Sequence, residues 1–130
     1  MDRLQRRHQE SVIVSKMMLK ICFELIEAIG SPHFGPAVGP LLVAMAIREN
    51  DGDGKPPMKV SDLVKRLKMP RSNVRRALAK LLDDGMIHER NDSSYVGSID
   101  YLAARIDAEY FIEIKKAVHA ASAALKALET

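Results

Sequence analysis

The stretch Lys68–Arg90, KMPRSNVRRALAKLLDDGMIHER, carries Arg71, Arg75, Arg76 and Lys80 before its first acid, Asp83. On a helical wheel its apolar residues Ala77, Leu78 and Leu81 fall within about 60° of Val74, which predicts a helix with that stripe inward. Ser72, Asn73, Arg76 and Lys80 lie opposite, Arg75 flanks the stripe, and Arg71 stands at the helix start. A face that is merely solvated mixes both signs of charge; this one does not. The helix is expected to run to about Asp84 and stop at Gly85, a residue suited to the left-handed cap.

Working outward, SDLVKRLKM predicts a preceding helix capped by Ser61 that buries Leu63, Val64 and Leu67. A few residues of turn around Lys68 to Arg71 join the two. After Gly85, Met86 and Ile87 lead a strand, Asn91 and Asp92 turn, and Tyr95 and Val96 return. Two helices across a tight turn, followed by a strand pair, make a helix-turn-helix with a wing. MKV at 58–60 adds one short strand.

The flanks are helical. From about Glu10 to Ile29 the apolar residues Val14, Met18, Ile21, Leu25 and Ala28 alternate at four and three, and Gly30 with Pro32, Pro36 and Pro40 is expected to end that helix. A second helix is expected from Leu41 to about Glu49. ENDGDGKPP reads as a solvated turn: with Glu49 as first ligand of a calcium loop, the position needing a bidentate Glu falls on Val60. A last helix is expected from about Ile106, where Phe111, Ile114, Val118, Ala121, Leu125 and Leu128 form a heptad seam.

Composition bounds the function. The 130 residues suit one domain, 1–130, and 47% hydrophobic with 28% charged excludes a disordered chain. With 5% aromatic and no Trp, the core is built from Leu, Ile, Val, Met and Ala, which favours a mainly α fold. Of 20 Lys and Arg, eight fall between Lys59 and Lys80 against Asp62 alone, a local +7 in a chain of net +3. That asymmetry points to a polyanion, nucleic acid first. The single Cys22 excludes an intrachain disulfide and fits a cytoplasmic location, and its apolar neighbours mark it as structural. No secretory signal or membrane span can be drawn, His8, His33, His88 and His119 share no metal-ligand spacing, and no catalytic constellation or cofactor loop is present. Six methionines (Met17, Met18, Met45, Met58, Met69, Met86) sit at apolar positions and read as core, with a ligand pocket between helices as another use.

VSDLVKRLKMPRSNVRRALAKLLDDGMI, residues 60–87, resembles the winged helix-turn-helix transcription factors, and the resemblance covers roughly residues 58–98. The order of elements around it is similar to the MarR-type dimeric regulators. That resemblance implies a homodimer through helices 10–29 and 106–128, a palindromic operator, and a small-molecule effector that releases DNA. Lys68 stands where such turns commonly carry glycine, Pro70 where a hydroxyl residue is common, and the wing tip NDSS lacks the usual basic residue. The expected function is a DNA-binding transcriptional regulator and not an enzyme. Arg71, Ser72, Asn73, Arg75 and Arg76 are the expected DNA contacts, with Lys80, Lys65, Arg66 and Arg90 on the backbone. The alternatives are a module that binds an acidic protein partner, or a ligand- or redox-responsive sensor with conditional DNA binding.

Overall fold

The chain order is α1 (Arg3–Ile29), α2 (Phe34–Gly52), α3 (Val60–Leu67), α4 (Arg71–Asp83), β1 (Ile87–Glu89), β2 (Tyr95–Gly97), α5 (Ile99–Ala103) and α6 (Glu109–Leu128), in a computed structural model describing residues 1–129. The fold is mainly helical with one two-stranded antiparallel sheet, a winged helix-turn-helix. Its residues fall into two compact units, 35–106 and 1–34 with the segment from Asp107 onward.

In the unit 35–106, Val43, Ala46 and Ile47 of α2, Leu63 of α3, and Val74, Ala77, Leu78 and Leu81 of α4 share one core with Ile87 and Tyr95 of the wing. The four α4 positions are those of the sequence stripe. β1 pairs with β2 in the register Ile87 with Gly97, His88 with Val96 and Glu89 with Tyr95. MKV contributes a single bridge, Met58 to Tyr95, with the Tyr95 N–H donating to the Met58 carbonyl at 2.9 Å.

The starts of α2, α3, α6 and α1 differ from the sequence expectation. α2 begins at Phe34, not after Pro40. Pro36 occupies the first turn, where a missing N–H costs nothing, and Pro40 is carried inside the helix at the expense of the bond it would have donated to the Pro36 carbonyl. α3 is not capped by Ser61: it begins at Val60, and Asp62 accepts from the Lys59 N–H at 2.9 Å. The last helix starts at Glu109, and before it the short α5 is capped by Ser98, whose Oγ accepts from the Tyr101 N–H at 3.1 Å.

In the other unit, α1 starts at Arg3, seven residues before the expected start at Glu10, because Asp2 and Gln5 form a reciprocal capping box. α1 packs on α6, and Lys20 reaches Glu113 at 3.8 Å. The covered face of α6 is Tyr110, Ile114, Ala117, Ala121, Ala124 and Leu128; on α1 Ile13, Met17, Ile21 and Glu24 are drawn in. The expected seam is therefore divided. Ile114, Ala121, Leu125 and Leu128 are covered at least in part, while Phe111 and Val118 stay 50% and 45% exposed. On α1, Val14 and Met18 are likewise exposed, as is Met45 on α2, which corrects the reading of Met18 and Met45 as core.

Candidate nucleic-acid interface

The turn between α3 and α4 is Lys68-Met69-Pro70. Lys68 takes the left-handed conformation, φ 54°, and its N–H donates to the Val64 carbonyl at 2.9 Å, closing α3. A side chain with a Cβ thus occupies the place where glycine is common. Pro70 has φ −57° and supplies no side-chain cap, but its carbonyl accepts from the Asn73 and Val74 N–H groups. The Arg71 and Ser72 N–H groups at the positive end of α4 carry no hydrogen bond among the described residues.

α4 ends as the sequence indicates. Gly85 is left-handed at φ 75°, its N–H donates to Leu82, and the Met86 N–H donates to Leu81, so the chain reverses directly into β1.

Burial of Val74, Ala77, Leu78 and Leu81 turns the opposite face of α4 to solvent. Arg71, Ser72, Asn73, Arg75 and Arg76 are all exposed, and among the described residues none has a side-chain hydrogen bond or ion pair. Arg75 is close enough to Tyr95 to oppose the rise in its phenol pKa, which burial causes first and Glu89 adds to. Lys80 is different: it bonds Asp84 at 3.0 Å.

Lys65 and Arg66 are exposed on α3, and Arg66 is tied to Glu49 of α2 at 3.0 Å. Arg90 closes the wing turn through backbone bonds, its N–H to the Ser94 carbonyl at 2.8 Å and its carbonyl to the Ser93 N–H at 3.0 Å. Ser93 is left-handed at φ 63°. Asp92 accepts from the Ser94 hydroxyl and N–H, and those bonds, helped by Lys59 and Arg90, hold its carboxyl below the ordinary carboxylate pKa.

Two contributors escaped the sequence reading. Asp51, taken only as part of a turn, accepts from the Gly97 N–H at 2.8 Å and ties the end of α2 to the wing. The start of α2, read as a proline-broken loop, lines a groove beside Asn73, Arg76 and Lys80. Among the described residues, no group of three or more His, Cys, Asp or Glu could hold a metal, and no helix is long and apolar enough to cross a membrane.

A helix-turn-helix with a basic second helix and a two-stranded wing defines the class of winged-helix regulators. Residues 54–89, covering α3, the turn, α4 and β1, match the model of the bacterial regulatory protein, arsR family. The match indicates a DNA-binding transcription regulator. No curated protein and no solved structure matches the chain significantly.

Proposed function

We propose that the protein is a homodimeric transcription regulator that reads double-stranded DNA by placing α4 in the major groove of a two-fold operator. The observation that carries this is the exposed, unpaired set Arg71, Ser72, Asn73, Arg75 and Arg76 on one short helix. Guanidinium forks fit guanine O6 and N7, and an Asn amide fits adenine N6 and N7. Arg71 and Ser72 add free backbone N–H groups at the end of α4 that favours phosphate. Lys65, Lys80, Arg66 and Arg90 hold the backbone, with Arg66 and Lys80 exchanging Glu49 and Asp84 for phosphate.

Dimerisation is supported by Val14 and Met18 on α1 and Phe111 and Val118 on α6, four apolar residues at stripe and seam positions that the chain does not cover with itself. The order of elements is similar to the MarR-type dimeric regulators, although the matched family model is a different one and stops short of α1, α2, α5 and α6. A two-fold dimer sets half-sites about 34–36 Å apart.

Selection of bound sequences from random duplex DNA tests the reading. A motif with two-fold symmetry and half-sites about one turn apart is expected. Enrichment of an asymmetric motif rules out the two-fold arrangement, and no enrichment rules out sequence reading. On the selected site, Arg76→Ala is expected to cost about 1–3 kcal/mol.

A further inference from the structure

The outer edge of β2 is closed by two unlike acceptors. Tyr95 and Gly97, two residues apart on the strand, turn their N–H groups to the side away from β1. Tyr95 donates to the Met58 carbonyl at 2.9 Å, an ordinary rung between extended segments. Gly97 donates to the Asp51 carboxylate at 2.8 Å, so a side chain from the end of α2 stands where the next backbone carbonyl would. Gly97 makes that close approach possible: a Cβ there would lie 3.2 Å from Asp51 Oδ2.

Asp51 is the last of three consecutive residues that reach three different places. Glu49 accepts from Arg66 of α3 at 3.0 Å, Asn50 donates to the Pro56 carbonyl of the following loop at 2.9 Å, and Asp51 holds β2. The wing is also held by Ile87 and Tyr95 in the core, but apolar packing is non-directional, whereas a hydrogen bond to a carboxylate constrains angle as well as distance. At the wing turn stands Arg90, and Lys59, beside Met58 on the bridged edge, lies near enough to Asp92 to act on it together with Arg90. Both cations are exposed.

We infer that Asp51 is a positioning residue for duplex binding: its carboxylate sets the angle of the wing against α4, and thereby where Arg90 and Lys59 meet the DNA backbone. The contact with DNA rests on the function proposed above, the wing angle on the geometry alone.

The test uses the full-length protein. Asp51→Ala is expected to strip the Gly97 amide of its protection against hydrogen exchange, to rotate the β1 and β2 amide vectors against those of α4 in residual dipolar couplings, and to weaken duplex binding about fivefold. Asp51→Asn, whose amide oxygen still accepts, is expected to keep all three near the wild type. In a protein already carrying Lys59→Ala and Arg90→Ala, Asp51→Ala is expected to cost no further duplex affinity, because the groups it positions are gone. A loss as large in that background as in the wild type overturns the positioning role, and so does a duplex affinity that Asp51→Ala leaves unmoved. Unchanged couplings in Asp51→Ala overturn the wing angle. Should the wild type hold no duplex, the DNA reading fails, and the couplings alone decide whether Asp51 sets the wing.

Discussion

Lys68 shows how one residue can work against its own backbone. At φ 54° its Cβ meets a conformation that costs an L-residue roughly 1–2 kcal/mol, a cost glycine escapes while losing some chain entropy. Lys68→Gly is therefore expected to raise the stability of folding by about 0.5–1 kcal/mol, read from urea unfolding. Unchanged or lower stability would mean that the Lys68 side chain supplies something the turn needs. At the wing tip, Asp92 has its pKa lowered by Ser94 first, then by Lys59 and Arg90. A carboxyl with a folded pKa below its unfolded one stabilises the fold above the unfolded value and loses that contribution as pH falls through the folded one. Acidification through the carboxylate range is expected to lower the protection of the Ser94 amide against hydrogen exchange, taken relative to the intrinsic rate at each pH, and Asp92→Ala to abolish that loss of protection. The freedom of the candidate side chains from the fold was legible at this scale where the helical period decided it, as at Arg71, Asn73 and Arg76. It was not legible for Arg66 and Lys80, because their partners Glu49 and Asp84 are set by the fold and by rotamer.

Among the elements, α3, α4 and the wing could be read ahead because each rests on local signals: the stripe from Val74 to Leu81, the reversal at Gly85, the alternation around Ile87 and Tyr95. α2 could not, because proline was read as a breaker regardless of position. Pro36 stands in the first turn, and the packing of Val43, Ala46 and Ile47 outweighs the bond lost at Pro40. α6 illustrates a different ambiguity. A helix with alanines between its large residues offers two overlapping seams, and sequence spacing does not say which one faces α1. Ala121 is buried between α1 and α6, whereas Phe111 is half exposed. Ala121→Leu is expected to overpack the pair and cost about 1–3 kcal/mol. Phe111→Asp is expected to leave protomer folding nearly intact and to shift the species seen by light scattering from dimer to monomer. A Phe111→Asp protein that remains dimeric would remove this face from the assembly.

Over the whole molecule, the local +7 between Lys59 and Lys80 is set against a net charge of +3, so the rest of the chain is acidic. The structure offsets part of that charge by pairing Arg66 and Lys80, and leaves Arg71, Arg75 and Arg76 open on α4. Such a field draws in a polyanion and releases its condensed counterions on contact. The measurement that bears most directly on this is duplex affinity as a function of salt, for the wild type and for Arg76→Ala. A straight, steep fall of log affinity with log salt is expected, with a slope of about −0.9 for each phosphate neutralised, and Arg76→Ala is expected to bind more weakly throughout. Affinity indifferent to salt, or equal in the two proteins, would contradict the assignment of α4 to DNA.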